Sequence, residues 1–193
     1  MITSDTCVNI FIGEPASGKT LLTKQLIKGA DVNKSLYNCN YPVIIMKHPY
    51  NIAIIHMNNN NINNVEFYMQ LKENGLKSYS DGFTISHIDN FVFFFDIRTL
   101  IQNKSKLMHI SELCVTLVSK RVCFRDPLIV LSHCDLVDEK ELKEFKITLF
   151  NQISEDMIIF TFGDSEKDIP SMADTFIRRL INEKKFSENN SMN

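Results

Sequence analysis

The sequence predicts an α/β fold, a six-stranded and mostly parallel sheet with helices on both faces, and three observations predict it. Apolar runs of five to seven residues recur without strict alternation, which suits strands buried on both faces. Segments of helical period lie between most of these runs, and strands alternating with helices imply parallel pairing. A glycine-containing turn joins the first apolar run to the first helical segment.

Taken in order, residues 7–12 predict the first strand and 21–28 the first helix. The turn between them, Gly13-Glu14-Pro15-Ala16-Ser17-Gly18-Lys19-Thr20, fits the phosphate-loop pattern G-x-x-x-x-G-K-S/T. Gly13 and Gly18 let the backbone turn so that consecutive N–H groups face phosphate oxygens, and the helix N-terminus adds partial positive charge. Lys19 is expected to reach the β- and γ-phosphates and Thr20 to ligate Mg²⁺. All eight residues, Gly13, Glu14, Pro15, Ala16, Ser17, Gly18, Lys19 and Thr20, are therefore candidate phosphate-binding positions. A bare glycine turn with a solvated lysine, or an inherited loop that binds nothing, is the alternative.

Residues 42–46 and 51–57, joined by Lys47-His48-Pro49-Tyr50, predict an antiparallel hairpin at a sheet edge. The tract 58–64 is almost all asparagine and reads as a mobile loop. A helix over 65–72 precedes the run 91–96, whose five apolar residues ending in Asp96 suit a central strand better than a membrane or partner contact. Helix 106–119, strand 128–132, helix 139–152, strand 157–162 and helix 171–183 complete the pattern, the last with Met172, Phe176 and Leu180 at steps of four. Acids at Asp138, Glu139 and Glu141 open helix 139–152 and complement its dipole, so they read as a solvated face. Residues 1–183 form one expected domain and 184–193 a polar, disordered tail.

The chain has 193 residues, 44% of them hydrophobic, enough for one well-buried core. A net charge of −2 provides no basic field for phosphate backbones, so direct nucleic-acid binding is not expected. Without a run of transmembrane length, a signal peptide or a C-a-a-X ending, the sequence reads as soluble and intracellular, with no membrane span. Cys7, Cys39, Cys114, Cys123 and Cys134 contain no C-x-x-C pair, so reduced thiols and no structural metal are expected. His133 with Asp135, and His109 with Glu112, lack a fixed nucleophile beside them, and no catalytic residue is assigned.

Leu128-Ile129-Val130-Leu131 runs into Ser132-His133-Cys134-Asp135, which resembles the N/T-K-x-D base-recognition motif after the fifth strand of Ras-like GTPases. The resemblance implies a P-loop NTPase fold of the Ras-like G-domain type. It also implies GTP or GDP bound with Mg²⁺, and base recognition by Ser132, His133 and Asp135. Asp135 is kept at the position that accepts guanine N1–H and the exocyclic amine, whereas His133 replaces the lysine whose stem packs over the base. Asp135 equally suits a turn before helix 139–152. Thr161-Phe162-Gly163 stands where the family has S-A-K and matches it poorly.

Where the family has D-x-x-G, this chain reads His56-Met57-Asn58-Asn59. Asp96 lies only 39 residues before Asp135, which places it on the fourth strand of the family layout rather than the third. No switch threonine stands between Gly29 and Pro42, and no glutamine follows the third strand to orient water. Weak or absent hydrolysis is the expectation, with function exerted through protein partners. The stretch from Ile88-Asp89 through the Phe91–Phe95 run to Arg121-Val122-Cys123-Phe124 is also similar to centromere protein M, a GTPase-like kinetochore pseudo-enzyme. That resemblance implies a scaffold with kinetochore subunits as partners and a nuclear, centromeric location in place of a cytoplasmic one. A small phosphoryl-transfer kinase using Asp96-Ile97-Arg98 shares the phosphate loop but lacks an arginine-rich lid near Arg121 and Arg125.

Overall fold

The computed structural model describes residues 6–26, 31–36, 43–48, 52–58, 65–78, 83–85, 87–120, 122, 127–160 and 176. Strand β1 (Cys7–Gly13), rich in β-branched and aromatic side chains, is buried throughout and forms the middle of the fold. It pairs in parallel with β4 (Ile52–Asn58) on one side and β7 (Asn90–Asp96) on the other. The parallel set continues through β8 (Leu128–Ser132) and β9 (Ile158–Phe160). On the opposite flank β3 (Val43–His48) runs antiparallel to β4, as the hairpin reading expects.

That hairpin is not the sheet edge. A seventh strand, β2 (Asp31–Leu36), pairs antiparallel with β3 through an irregular register and gives the order β2-β3-β4-β1-β7-β8-β9. Asp-Val-Asn-Lys-Ser-Leu carries only two apolar residues, a composition that edge strands tolerate and that periodicity cannot flag. A separate hairpin, β5 (Leu76–Ser78) with β6 (Phe83–Ile85), is also too short to read from the sequence. Asn58, assigned to the asparagine loop by sequence, is the last residue of β4, and residues 59–64 lie outside the described residues.

Alternation along β1 divides the core. Val8, Ile10 and Ile12 face α2 (Val65–Asn74), α3 (Ile97–Gln102), α4 (Lys104–Ser119) and α5 (Glu139–Phe150), in a core that also holds Tyr68, Leu100, Leu113 and Leu149. Cys7 and Phe11 face the other way, with Leu22 and Leu26 of α1 (Lys19–Leu26) and with Phe176. Helices therefore cover both faces. The run Phe91 to Phe95 is buried, at 3% exposure or less. Cys7, Cys114 and Cys134 are buried, whereas Cys39 and Cys123 lie outside the described residues. The predicted helix 171–183 lies outside them except for Phe176, and so do the 184–193 tail and Thr161-Phe162-Gly163.

At the amino end of the parallel strands, Asp89 accepts the Val8 N–H at 2.7 Å. One level up, Asn90 donates to Asn9 at 2.7 Å, and Asn9 donates to the Cys7 carbonyl at 3.1 Å. Two buried amides thus find partners within an otherwise apolar sheet, as buried polar groups must.

Candidate functional site

Gly13 closes β1 and Lys19 opens α1, so the octapeptide spans the gap between the central strand and its helix. Gly13 stands opposite Phe94 of β7, and a Cβ placed on it would lie 2.6 Å from the Phe94 carbonyl oxygen. Only glycine permits that approach. Ala16 (φ 62) and Gly18 (φ 88) are left-handed while Ser17 between them is not. The Ser17 N–H closes a tight turn onto the Glu14 carbonyl at 3.3 Å, and the left-handed residues on either side of it curl the loop. A Cβ on Gly18 would also meet the Ser132 Cβ at 3.0 Å, so the loop rests directly on the end of β8.

Lys19 is 5% exposed. Its ammonium donates to the carbonyls of Gly13 and Glu14, both at 2.7 Å, and to Ser17 Oγ at 3.2 Å. Burial lowers its pKa to about 8 despite the opposing effect of the Glu14 carboxylate. Thr20 is exposed at the first turn of α1. Behind the lysine, Thr23 donates to the Lys19 carbonyl at 2.8 Å and lies 2.7 Å from His56 Nε2. Burial, reinforced by the Lys19 charge, pushes His56 down to about 4 and keeps it neutral.

The second motif comes to the same end of the sheet. Ser132 is buried and donates to the Phe95 carbonyl at 3.2 Å, while the left-handed His133 (φ 60) places Nε2 3.2 Å from the Ala16 carbonyl. Asp135 sits exposed in the short 3₁₀ turn Cys134–Leu136. It does not cap α5: that role belongs to Asp138, whose carboxylate accepts from the N–H groups of Lys140 at 2.9 Å and Glu141 at 3.4 Å. Asp96, level with Ser132 at the end of β7, caps α3 through Arg98 N–H and holds the Arg98 guanidinium at 2.6 Å. That bond holds the Asp96 carboxyl below its usual range, so it stays ionised and committed to Arg98.

The sheet order, with one antiparallel flank, a loop of this shape after the central strand and a second loop bearing Asp135 after β8, decides the class. The fold is that of the GTP-binding proteins. A probable GTP-binding protein engB superposes with a TM-score of 0.53 at 15% identity, over 92% of this chain and 99% of its own. The small COPII coat GTPase Sar1 from Encephalitozoon cuniculi, in complex with GDP, gives 0.53 at 12% identity, over 97% of this chain and 85% of its own. Translation elongation factor SelB from Methanococcus maripaludis, in complex with the GTP analogue GPPNHP, gives 0.51 at 13% identity over 93% of this chain. The chain spans about a third of SelB, 35% of its length. No protein-family model matches the sequence, and no curated protein matches it.

Mg²⁺ is usually held through one or two carboxylates together with phosphates and water. Here the Thr20 hydroxyl is a suitable oxygen, but the residue level with Gly13 at the end of β4 is Asn58, an amide. From Ile52 through Val65 the sequence contains no carboxylate. Among the described residues the end of β4 therefore supplies no carboxylate for a cation, and the Thr20 hydroxyl is the oxygen the loop offers. Among the described residues no helix is long and apolar enough to cross a membrane.

Sequence reasoning missed two contacts of this site. The Thr23–His56 pair joins α1 to β4, and Lys106 of α4 reaches Glu14 of the loop at 2.7 Å. Local patterns carry no mark of the first. For the second, the acid-free first turn of α4, with Lys104 and Lys106 in it, is a departure from dipole preference that could have drawn notice.

Proposed function

We propose that this chain binds a guanine nucleotide, with Gly13 to Thr20 around the phosphates, Ser132, His133 and Asp135 at the base, and protein partners as its output. The observation that carries the reading is the loop itself: a left-handed Gly18, a buried Lys19 and the start of α1 converge at the carboxyl end of the parallel sheet. When bound, Mg²⁺ would offset phosphate charge there, and Thr20 would hold it. Lys19 exchanges its carbonyl partners for phosphate oxygens. His133 ties the base loop to the phosphate loop through the Ala16 carbonyl, which supports a shared site for both halves of one ligand.

Hydrolysis is slow or absent in this reading. The end of β4 offers Asn58 and a neutral His56 instead of a carboxylate, and Asp96 is engaged by Arg98. The same observation supports the pseudo-GTPase variant of the proposal, a scaffold that keeps its nucleotide static. The centromere protein M resemblance gains nothing from the structural neighbours, which are GTP-binding proteins. Acid extraction of the purified chain followed by chromatography should release GDP or GTP. Single-turnover assays should show hydrolysis below roughly 10⁻⁴ per second, the intrinsic order for Ras. A protein that extracts empty and stays empty when incubated with guanine nucleotide would overturn the binding reading, and fast turnover would overturn the static one.

A further inference from the structure

Glu14 puts a carboxylate in the second position of a loop shaped for anions, where it would repel the phosphates that the loop is proposed to hold. Two cations lie within its influence. One is Lys19, whose charge Glu14 favours but whose ammonium bonds the Gly13 and Glu14 carbonyls and Ser17 Oγ. The other is Lys106, which arrives from α4, 92 positions later in the chain, and takes the Glu14 Oε1 at 2.7 Å. Lys106 sits in the first turn of α4, where the helix dipole disfavours a cation and no acid in that turn offsets it. A lysine in that position, its side chain only 28% exposed, is explained by the pair it makes.

We propose that Lys106 is a positioning residue for the phosphate site, holding the Glu14 carboxylate against α4 and away from both Lys19 and the entering polyphosphate. The inference rests on the nucleotide-binding reading and adds to it a control point that touches no ligand. With Lys106 removed, Glu14 is free to pair with Lys19 and to oppose phosphate charge, so affinity falls although every phosphate-binding residue is intact.

The test is a titration of labelled GDP at low ionic strength into wild type, Lys106→Ala, Lys106→Arg and the double variant Glu14→Gln/Lys106→Ala, each checked for its melting temperature. Lys106→Ala should weaken binding by about tenfold, and by less at high salt, since the pair is partly exposed. Lys106→Arg should retain affinity, and Glu14→Gln in the Lys106→Ala background should recover most of the loss. Unchanged affinity in Lys106→Ala, or a double variant as weak as the single one, overturns the inference while leaving the nucleotide site standing. A wild type that binds no GDP overturns both.

Discussion

Replacing Lys19 by methionine removes a charge that the fold has desolvated, and the consequence can be read as a pH dependence of stability without any nucleotide present. Burial lowers the Lys19 pKa from 10.5 to about 8. The native state therefore binds fewer protons than the unfolded chain between those values, and stability contributed by this group rises with pH through that window. The full shift corresponds to about 3 kcal/mol, and between about pH 7.5 and pH 10 roughly 2 kcal/mol of it is recovered. His56 is neutral throughout that range, so it adds nothing to the slope. Urea unfolding of wild type and Lys19→Met at several pH values gives the difference directly, and subtracting the variant removes the tyrosine and cysteine titrations common to both. The wild type should gain on the variant by about 2 kcal/mol as pH rises. A flat difference would show that the ammonium is solvated, and the packed loop geometry derived above would be refuted.

Gly13→Ala forces a Cβ to within 2.6 Å of a backbone oxygen, and Gly18→Ala puts one at φ 88 against Ser132. Each should lower unfolding free energy by about 1–3 kcal/mol, measured by denaturant titration, with Gly13 the more severe because backbone cannot swing aside. Asp135→Asn should shift preference from guanosine toward xanthosine nucleotides, and an unchanged ratio in competition binding would remove Asp135 from the base site. Chelating Mg²⁺ with EDTA should accelerate GDP release by less than about tenfold, since Thr20 has no carboxylate partner on β4; release faster by several orders of magnitude would show that acidic ligands are supplied from elsewhere.

Much of this fold is legible in the sequence because its parallel strands are buried on both faces. Residues 128–132 form β8 without adjustment, β1 and β7 each gain one residue at an end, and β4 is shifted by one residue. What escapes has a physical reason. β2 is polar enough to resemble a loop, and β5 with β6 is shorter than a periodicity window. The phosphate loop is legible because its chemistry is local: glycine at close approach and lysine at a helix start are fixed by neighbours in sequence. The contacts that complete the site are not local. Nothing near Glu14 announces Lys106, and nothing near Ala16 announces that His133 will reach its carbonyl. Asp135 shows the intermediate case, since capping of α5 was open to it by sequence and only the position of Asp138 removes that role.

Binding of fluorescent GDP, GTP and ATP to the purified chain, with Lys19→Ala alongside, tests the central claim most directly. Guanine-selective binding at micromolar concentration or tighter, lost in Lys19→Ala, is the predicted result. Binding of no nucleotide, or binding that ignores both the base and the loss of Lys19, would contradict it.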